Sequence, residues 1–84
     1  MTTHQTRTQI QARLNDVFWE VFEDETIVIH DAMTAKDLDE WDSLMHITLV
    51  VAVEKEFNVR LSAREVGALQ NVGEMLDLIE RKTA

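Results

Sequence analysis

The sequence predicts an all-α fold: a small antiparallel bundle of three longer helices plus one short helix, with a long loop between helices 1 and 2. Three observations point there. Apolar residues recur at helical spacing in three separate segments. Pro is absent and Gly occurs only twice in 84 residues, so little interrupts a helix. Ser62 and Asn71 are each followed three residues later by Glu, a helix-start signature.

The elements follow in chain order. Residues 1–5 are polar and read as a frayed tail. Ile10, Leu14, Val17, Phe18, Val21 and Phe22 fall on one face at about 100° per residue, which predicts a first helix over residues 6–22. Residues 23–41 carry no sustained helical stripe. Thr26–Ile29 has strand character but no partner strand, so the segment reads as an extended loop whose Ile27, Ile29 and Leu38 pack onto the helices. A loop of this length in a small domain is usually functional. Asp42 is a good N-cap, and a second helix is expected over residues 43–57. It is apolar on more than one face, so it is either buried nearly all round or offers an apolar strip to a partner. Asn58 suits the left-handed residue that ends it. Ser62 opens a short helix near residues 63–68, and Asn71 opens a last helix running to about residue 81. The expected core is Ile10, Leu14, Val17, Phe18, Val21, Phe22, Ile47, Val50, Val53, Phe57, Val59, Leu61, Val66, Leu69, Val72, Met75, Leu76 and Ile79.

Residues 1–84 read as one domain with no repeat. A chain this short buries only about 60% of its unfolded surface, which leaves no room for a deep pocket beside the core. The net charge is −8 and it is unevenly placed. Residues 16–42 hold ten acids against Lys36 alone, a net of −9, while the remainder holds six acids and seven bases, a net of +1. Nucleic acid and anionic membranes require a basic footprint and are excluded as partners; a basic protein partner is favoured. Cys is absent, which removes disulfides, thiolate metal sites and thiol catalysis. No apolar run spans a membrane and no signal peptide is evident, so the expected compartment is the cytoplasm. The expected state is a monomer.

Most candidate motifs fail on their own chemistry. Asp37-x-Asp39-x-x-Asp42 starts like a calcium loop, but positions 6 and 12 hold Asp42 and Thr48 in place of Gly and Glu. What remains is a solvated acidic loop with at most a weak cation site, and no metal is assigned. His4, His30 and His46 have no metal-ligand spacing and read as structural or solvated. Ser43, with Asp42 beside it and His46 three residues on, allows a small serine hydrolase as one reading. That chemistry needs a Gly-flanked elbow and an oxyanion hole, and no Gly precedes residue 67. Glu54 and Glu56 read as a solvated face, Trp19 as a partly buried edge residue, and Trp41 as packing over the entrance of the second helix, with a contact to a tether as the alternative.

One constellation survives: Ser43 at the first turn of a helix, preceded by an acid and followed by apolar residues. The unpaired N–H groups and dipole at a helix start favour a phosphate there. The rival reading is that Asp-Ser merely caps the helix.

At this point the chain resembles a known family. Trp41-Asp42-Ser43-Leu44, the run 45–57 ending Val53-Glu54-Lys55-Glu56-Phe57, then Asn58-Val59-Arg60-Leu61 and Asn71-Val72-Gly73 look like an acyl carrier protein over residues 10–82. The resemblance implies a carrier and not an enzyme. Ser43 would receive 4′-phosphopantetheine from coenzyme A through a phosphopantetheinyl transferase using Mg²⁺, with Asp42 as cap and transferase contact. The arm's thiol would hold an acyl or aminoacyl thioester and present it to acyl-loading and acyl-transferring enzymes. The family's helices 2 and 3 commonly meet partners, which makes Leu44, Met45, Thr48 and Val51 the candidate partner-binding residues, against core packing for the apolar three. The sequence departs from carriers of fatty-acid synthesis in three places. Trp41 stands where Gly commonly precedes Asp-Ser-Leu, and Met45 and Thr48 stand where acids are common. Trp-Asp-Ser-Leu looks more like carriers of dedicated biosynthetic pathways, fatty acid or polyketide-like. The alternative outside the family is an acidic helical adaptor that is never modified.

Overall fold

The computed structural model describes residues 6–83; the expectations for residues 1–5, His4 included, lie outside them. Among the described residues four α-helices follow one another: α1 (Arg7–Phe22), α2 (Ser43–Phe57), α3 (Ala63–Ala68) and α4 (Val72–Thr83). The all-helical expectation holds. A short 3₁₀ turn, Ala35–Asp37, was not anticipated.

Local chemistry sets each helix end. Thr6 caps α1 and Gln9 reaches back to its N–H. Asp42 caps α2 and Ser62 with Glu65 caps α3. Asn71 caps α4 through Glu74 N–H at 2.8 Å, but Glu74 reaches one residue further back than in a capping box, to Gln70 N–H at 2.9 Å. The C-terminal ends of α1 and α2 close on left-handed residues, Glu23 (φ 52°) and the expected Asn58 (φ 54°).

α1 packs against both α2 and α4. The core gathers Ile10, Leu14, Val17 and Phe18 of α1, Leu49, Val53 and Phe57 of α2, and Val72, Met75, Leu76 and Ile79 of α4. Two expectations need correction. Ile47 is not core: it is 61% exposed. Leu49 and Val53 point inward, and Ile47 lies about 200° round the helix from Leu49. Val21, Phe22, Val59, Leu61, Val66 and Leu69 are half-buried, while Met33, Leu49 and Leu78 are buried although the expected core omitted them.

The long loop seats Ile27 and Ile29 as expected, with Leu38 half-buried, and adds Met33 and Trp41. Its extended stretch has no strand partner among the described residues, yet the Ile27 carbonyl and both polar backbone groups of Ile29 are satisfied. Gln11, Asn15 and Trp19 recur every four residues on α1 and form a polar stripe beside the apolar one. Asn15 Nδ2 and Trp19 Nε1 both donate to the Ile27 carbonyl, at 2.9 and 2.6 Å. Asn15 Oδ1 accepts from Ile29 N–H at 2.8 Å, and Gln11 Nε2 donates to the Ile29 carbonyl at 3.2 Å. A helix face thus does the work that a neighbouring strand would do.

The loop is also tied to α4. Val72 and Gly73 N–H, unpaired within their own helix, donate to the carbonyls of Met33 and Asp31, each at 2.9 Å. A Cβ on Gly73 would lie 3.1 Å from the Asp31 carbonyl oxygen, so any larger residue would push the loop back by a few tenths of an ångström. Arg7 pairs with Asp31, Asp77 and Glu80, joining α1, loop and α4. Hydrogen bonds from Glu80, Asp77 and Asp31 raise the guanidinium's affinity for its proton further.

Glu54 and Glu56 are not a free solvated face. Glu54 accepts from Leu61 N–H at 2.9 Å, holding the turn after α2. Glu56 pairs with Arg13, whose guanidinium also lies 4.5 Å above the Phe57 ring.

Candidate functional site

The site is built at the start of α2. Asp42 has extended backbone, and its carboxylate accepts from Met45 N–H at 2.9 Å. That cap is fully expressed, so the capping reading of Asp42 holds. It does not consume Ser43, the first residue of the helix. Ser43 is exposed, and among the described residues its hydroxyl makes no side-chain hydrogen bond.

The chain contains two serines. The other, Ser62, is exposed too, but its hydroxyl accepts from Glu65 N–H at 3.1 Å as a helix cap. The two are therefore chemically distinct: one hydroxyl is committed to structure and the other is available at a helix N-terminus. An anionic group on Ser43 would meet the positive end of the α2 dipole.

Beyond Ser43 the helix turns an apolar strip outward. Leu44 is 70% exposed and Val51 44% exposed, and Thr48 is exposed. With Ile47 these occupy i, i+3, i+4 and i+7, one face of the helix. Thr48 Oγ1 donates to the Leu44 carbonyl at 3.2 Å, which turns its hydroxyl inward to the helix backbone. Met45 is half-buried and off this strip. Of the four residues picked from sequence, Leu44, Thr48 and Val51 share the face and Met45 does not. Ile47 was missed, although its place three residues after Leu44 marked it.

Trp41 is buried beneath this entrance at 7% exposure, as its packing reading required. Its ring meets Phe18 edge-on at 5.3 Å and Phe22 at 6.3 Å. Its Nε1 donates to His46 Nδ1 at 3.1 Å, and the two rings lie within 22° of one another. Because Trp Nε1 can only donate, His46 Nδ1 is the acceptor, and the proton of the neutral imidazole is on Nε2. This geometry does not support the serine hydrolase reading. No hydrogen bond joins Ser43 to His46 among the described residues, and the imidazole presents an N–H where a base would need a lone pair.

A cleft of about 650 Å³ opens beside Ser43, an open surface cleft rather than a deep pocket. Trp41, Ser43, His46 and Ile47 form one wall, and residues around α3 and the start of α4, among them Val66, Leu69 and Met75, form the other. The acidic loop borders the site. Of the ten acids in residues 16–42, only Asp31 is in an ion pair among the described residues. Asp24 is held below the usual carboxylate range by hydrogen bonds from the Thr26 hydroxyl and N–H. No group of three or more metal-ligating side chains forms among the described residues, and none of their helices is long and apolar enough to cross a membrane.

Comparison with known proteins agrees with this geometry. Residues 13–79 match the family model of the phosphopantetheine attachment site. An acyl carrier protein of Thermosynechococcus vestitus is 39% identical over 57 residues, which are 68% of this chain and 69% of that protein. The solution NMR structure of holo acyl carrier protein from Geobacter metallireducens superposes with a TM-score of 0.82 at 36% identity, covering 86% of this chain and 83% of that one. The class is a phosphopantetheine-bearing helical carrier. More particularly, the chain belongs to the acyl carrier protein family. It carries acyl groups on covalently attached 4′-phosphopantetheine, works with enzymes of acyl metabolism, and is not itself an enzyme.

Proposed function

We propose that Ser43 bears the arm and that the chain, as one carrier domain over residues 1–84, serves a dedicated biosynthetic pathway. The observation that carries the attachment reading is the contrast between the serines. Ser62 is engaged as a cap, whereas the Ser43 hydroxyl is exposed and unengaged at the start of α2. The residues present fit the group: an exposed hydroxyl, a helix N-terminus facing it, and a cleft alongside.

Attachment joins Ser43 Oγ to the phosphorus of the phosphopantetheinyl group and breaks the pyrophosphate bond of coenzyme A. Adenosine 3′,5′-bisphosphate leaves. The Nδ1 lone pair of His46 is taken by Trp41 and its Nε2 carries the proton, so the base for the Ser43 proton would come from the phosphopantetheinyl transferase, which would use Mg²⁺. Asp42 keeps α2 started at Ser43 and adds negative charge beside it for the transferase to recognise.

The arm supplies a terminal thiol that holds an acyl or aminoacyl group as a thioester. With no Cys in the chain, no protein thiol competes for that cargo. The Leu44, Ile47, Thr48 and Val51 face docks the acyl-loading and acyl-transferring enzymes, with half-buried Met45 supporting it from behind. The acids of the long loop steer basic partners from one side. This largely apolar α2 face, with Thr48 in place of an acid expected of general fatty-acid-synthesis carriers, selects partners with an apolar socket. We read the chain as a cytoplasmic monomer.

Incubating the purified chain with coenzyme A, Mg²⁺ and a promiscuous phosphopantetheinyl transferase tests the attachment. The intact mass should rise by one phosphopantetheinyl unit, and Ser43→Ala should stay unchanged. A wild-type mass that does not move would favour the unmodified adaptor. Dedication is tested with the purified enzymes of a general fatty-acid-synthesis system. The holo chain should be a poor substrate for them, and efficient loading would overturn the assignment.

A further inference from the structure

We propose that His46 is a positioning residue that holds the proximal end of the prosthetic arm through its Nε2–H, and that Trp41 sets it for this role by fixing its tautomer. The proposal rests on the attachment at Ser43 argued above.

Trp41 Nε1 donates to His46 Nδ1 at 3.1 Å, with 22° between the ring planes. The neutral ring must then carry its proton on Nε2. That group is not sealed in the core. His46 is half-buried, and no buried side-chain nitrogen or oxygen among the described residues lacks a partner. Nε2–H makes no hydrogen bond to a described residue, so it is open to solvent.

Its position points to the arm. His46 lies one turn after Ser43, and residues three apart are neighbours on a helix surface, about 5–6 Å apart at Cβ. Helical side chains lean toward the N-terminus, which carries the imidazole toward Ser43. Ser43, Trp41 and His46 line the same cleft. An oxygen of the phosphodiester on Ser43 Oγ would enter the cleft that His46 also lines and is the acceptor for Nε2–H. Leu44 and Ser43 N–H have no partners within the helix and face the same end, so backbone and imidazole would hold the phosphate together. The cargo thioester is at the far end of the arm, so His46 governs how the arm leaves the protein and not which acyl group it bears. Trp41, the residue that departs from the family's Gly, thereby gains a function beyond packing.

The test compares apo and holo protein by NMR. In the apo protein, long-range ¹H–¹⁵N correlations should show the His46 Nε2–H tautomer. In the holo protein the Nε2 resonance should shift and the imidazole should show NOEs to the arm. The ³¹P resonance of holo protein should move in His46→Leu and return toward wild type in His46→Gln, whose amide keeps a donor. Trp41→Phe, which retains the ring in the core but removes the N–H, should yield mixed tautomers and weaker NOEs. Finding the Nδ1–H tautomer in apo protein would overturn the proposal. So would His46 signals that are the same in apo and holo protein without arm NOEs. A mass that never rises would instead sink the attachment reading, so the two failures are distinguishable.

Discussion

Asn15→Ala should unfasten the long loop from α1, at a cost that can be worked from the bonds. Asn15 donates to the Ile27 carbonyl and accepts from Ile29 N–H, at 2.9 and 2.8 Å. Two hydrogen bonds contribute about 1 kcal/mol each, and a half-buried N–H left unpaired adds about 1 kcal/mol more. The Ile27 carbonyl keeps Trp19 Nε1 and adds nothing to the loss. Ala is the better helix former by roughly 0.6 kcal/mol, which offsets part of the total. The net destabilisation is about 2 kcal/mol, or roughly 8–16 °C in Tm for a domain of this size. Thermal unfolding followed by far-UV circular dichroism reads it directly, and hydrogen exchange at Ile29 N–H should accelerate. Gln11→Ala, which loses one longer bond to a carbonyl, should cost less. An Asn15→Ala protein within about 0.5 kcal/mol of wild type would show that burial of Ile27 and Ile29 alone seats the loop.

Three further outcomes are expected. Ile47→Ala should leave stability within about 0.5 kcal/mol, because the side chain is mostly exposed; it should raise KM for a partner enzyme by roughly 5- to 30-fold, and an unchanged KM would remove Ile47 from the docking face. Glu23→Gly should stabilise by roughly 0.5–1 kcal/mol in urea unfolding, since φ at Glu23 is 52° and only Gly adopts that region freely; a loss of stability would refute this. Glu65 is held below its usual pKa first by the Ser62 N–H and then by Lys82. Its contribution is therefore fully present above the unfolded Glu value of about 4.3 and is lost as pH falls through the lowered folded value. Urea unfolding across that acid range should show a shallower decline for Glu65→Gln than for wild type, and parallel curves would contradict the assignment.

What could be read in the sequence was what is decided locally. Asp42, Ser62 and Asn58 fix helix ends within a few residues of themselves, so α2 and α3 run over the residues expected and Asn58 takes its left-handed turn. The place of Ser43 on the first turn was legible for the same reason, because the cap fixed it there. The loop's attachment was not, because it depends on groups far apart in the chain. Asn15 in a helix interior is a weak helix former, and its four-residue spacing from Gln11 and Trp19 was the available sign of a second role. The exposure of Ile47 was hidden by the composition of α2, where apolar residues on every face leave the inward direction to be set by α1. Arg13 and Leu61 reach Glu56 and Glu54 only once the helices have packed, so those acids looked like free surface. Trp41 read correctly as packing, but its bond to His46 requires the ring geometry itself.

The central claim is that the arm is on Ser43 and not merely somewhere on the chain. Tryptic digestion of the holo protein followed by tandem mass spectrometry tests it most directly. Cleavage after Lys36 and Lys55 places Ser43 in the peptide 37–55, whereas Ser62 falls in the peptide 61–64. The account requires the phosphopantetheinyl mass on peptide 37–55, localised by fragmentation to Ser43. The same mass on peptide 61–64, or on any residue other than Ser43, would contradict it.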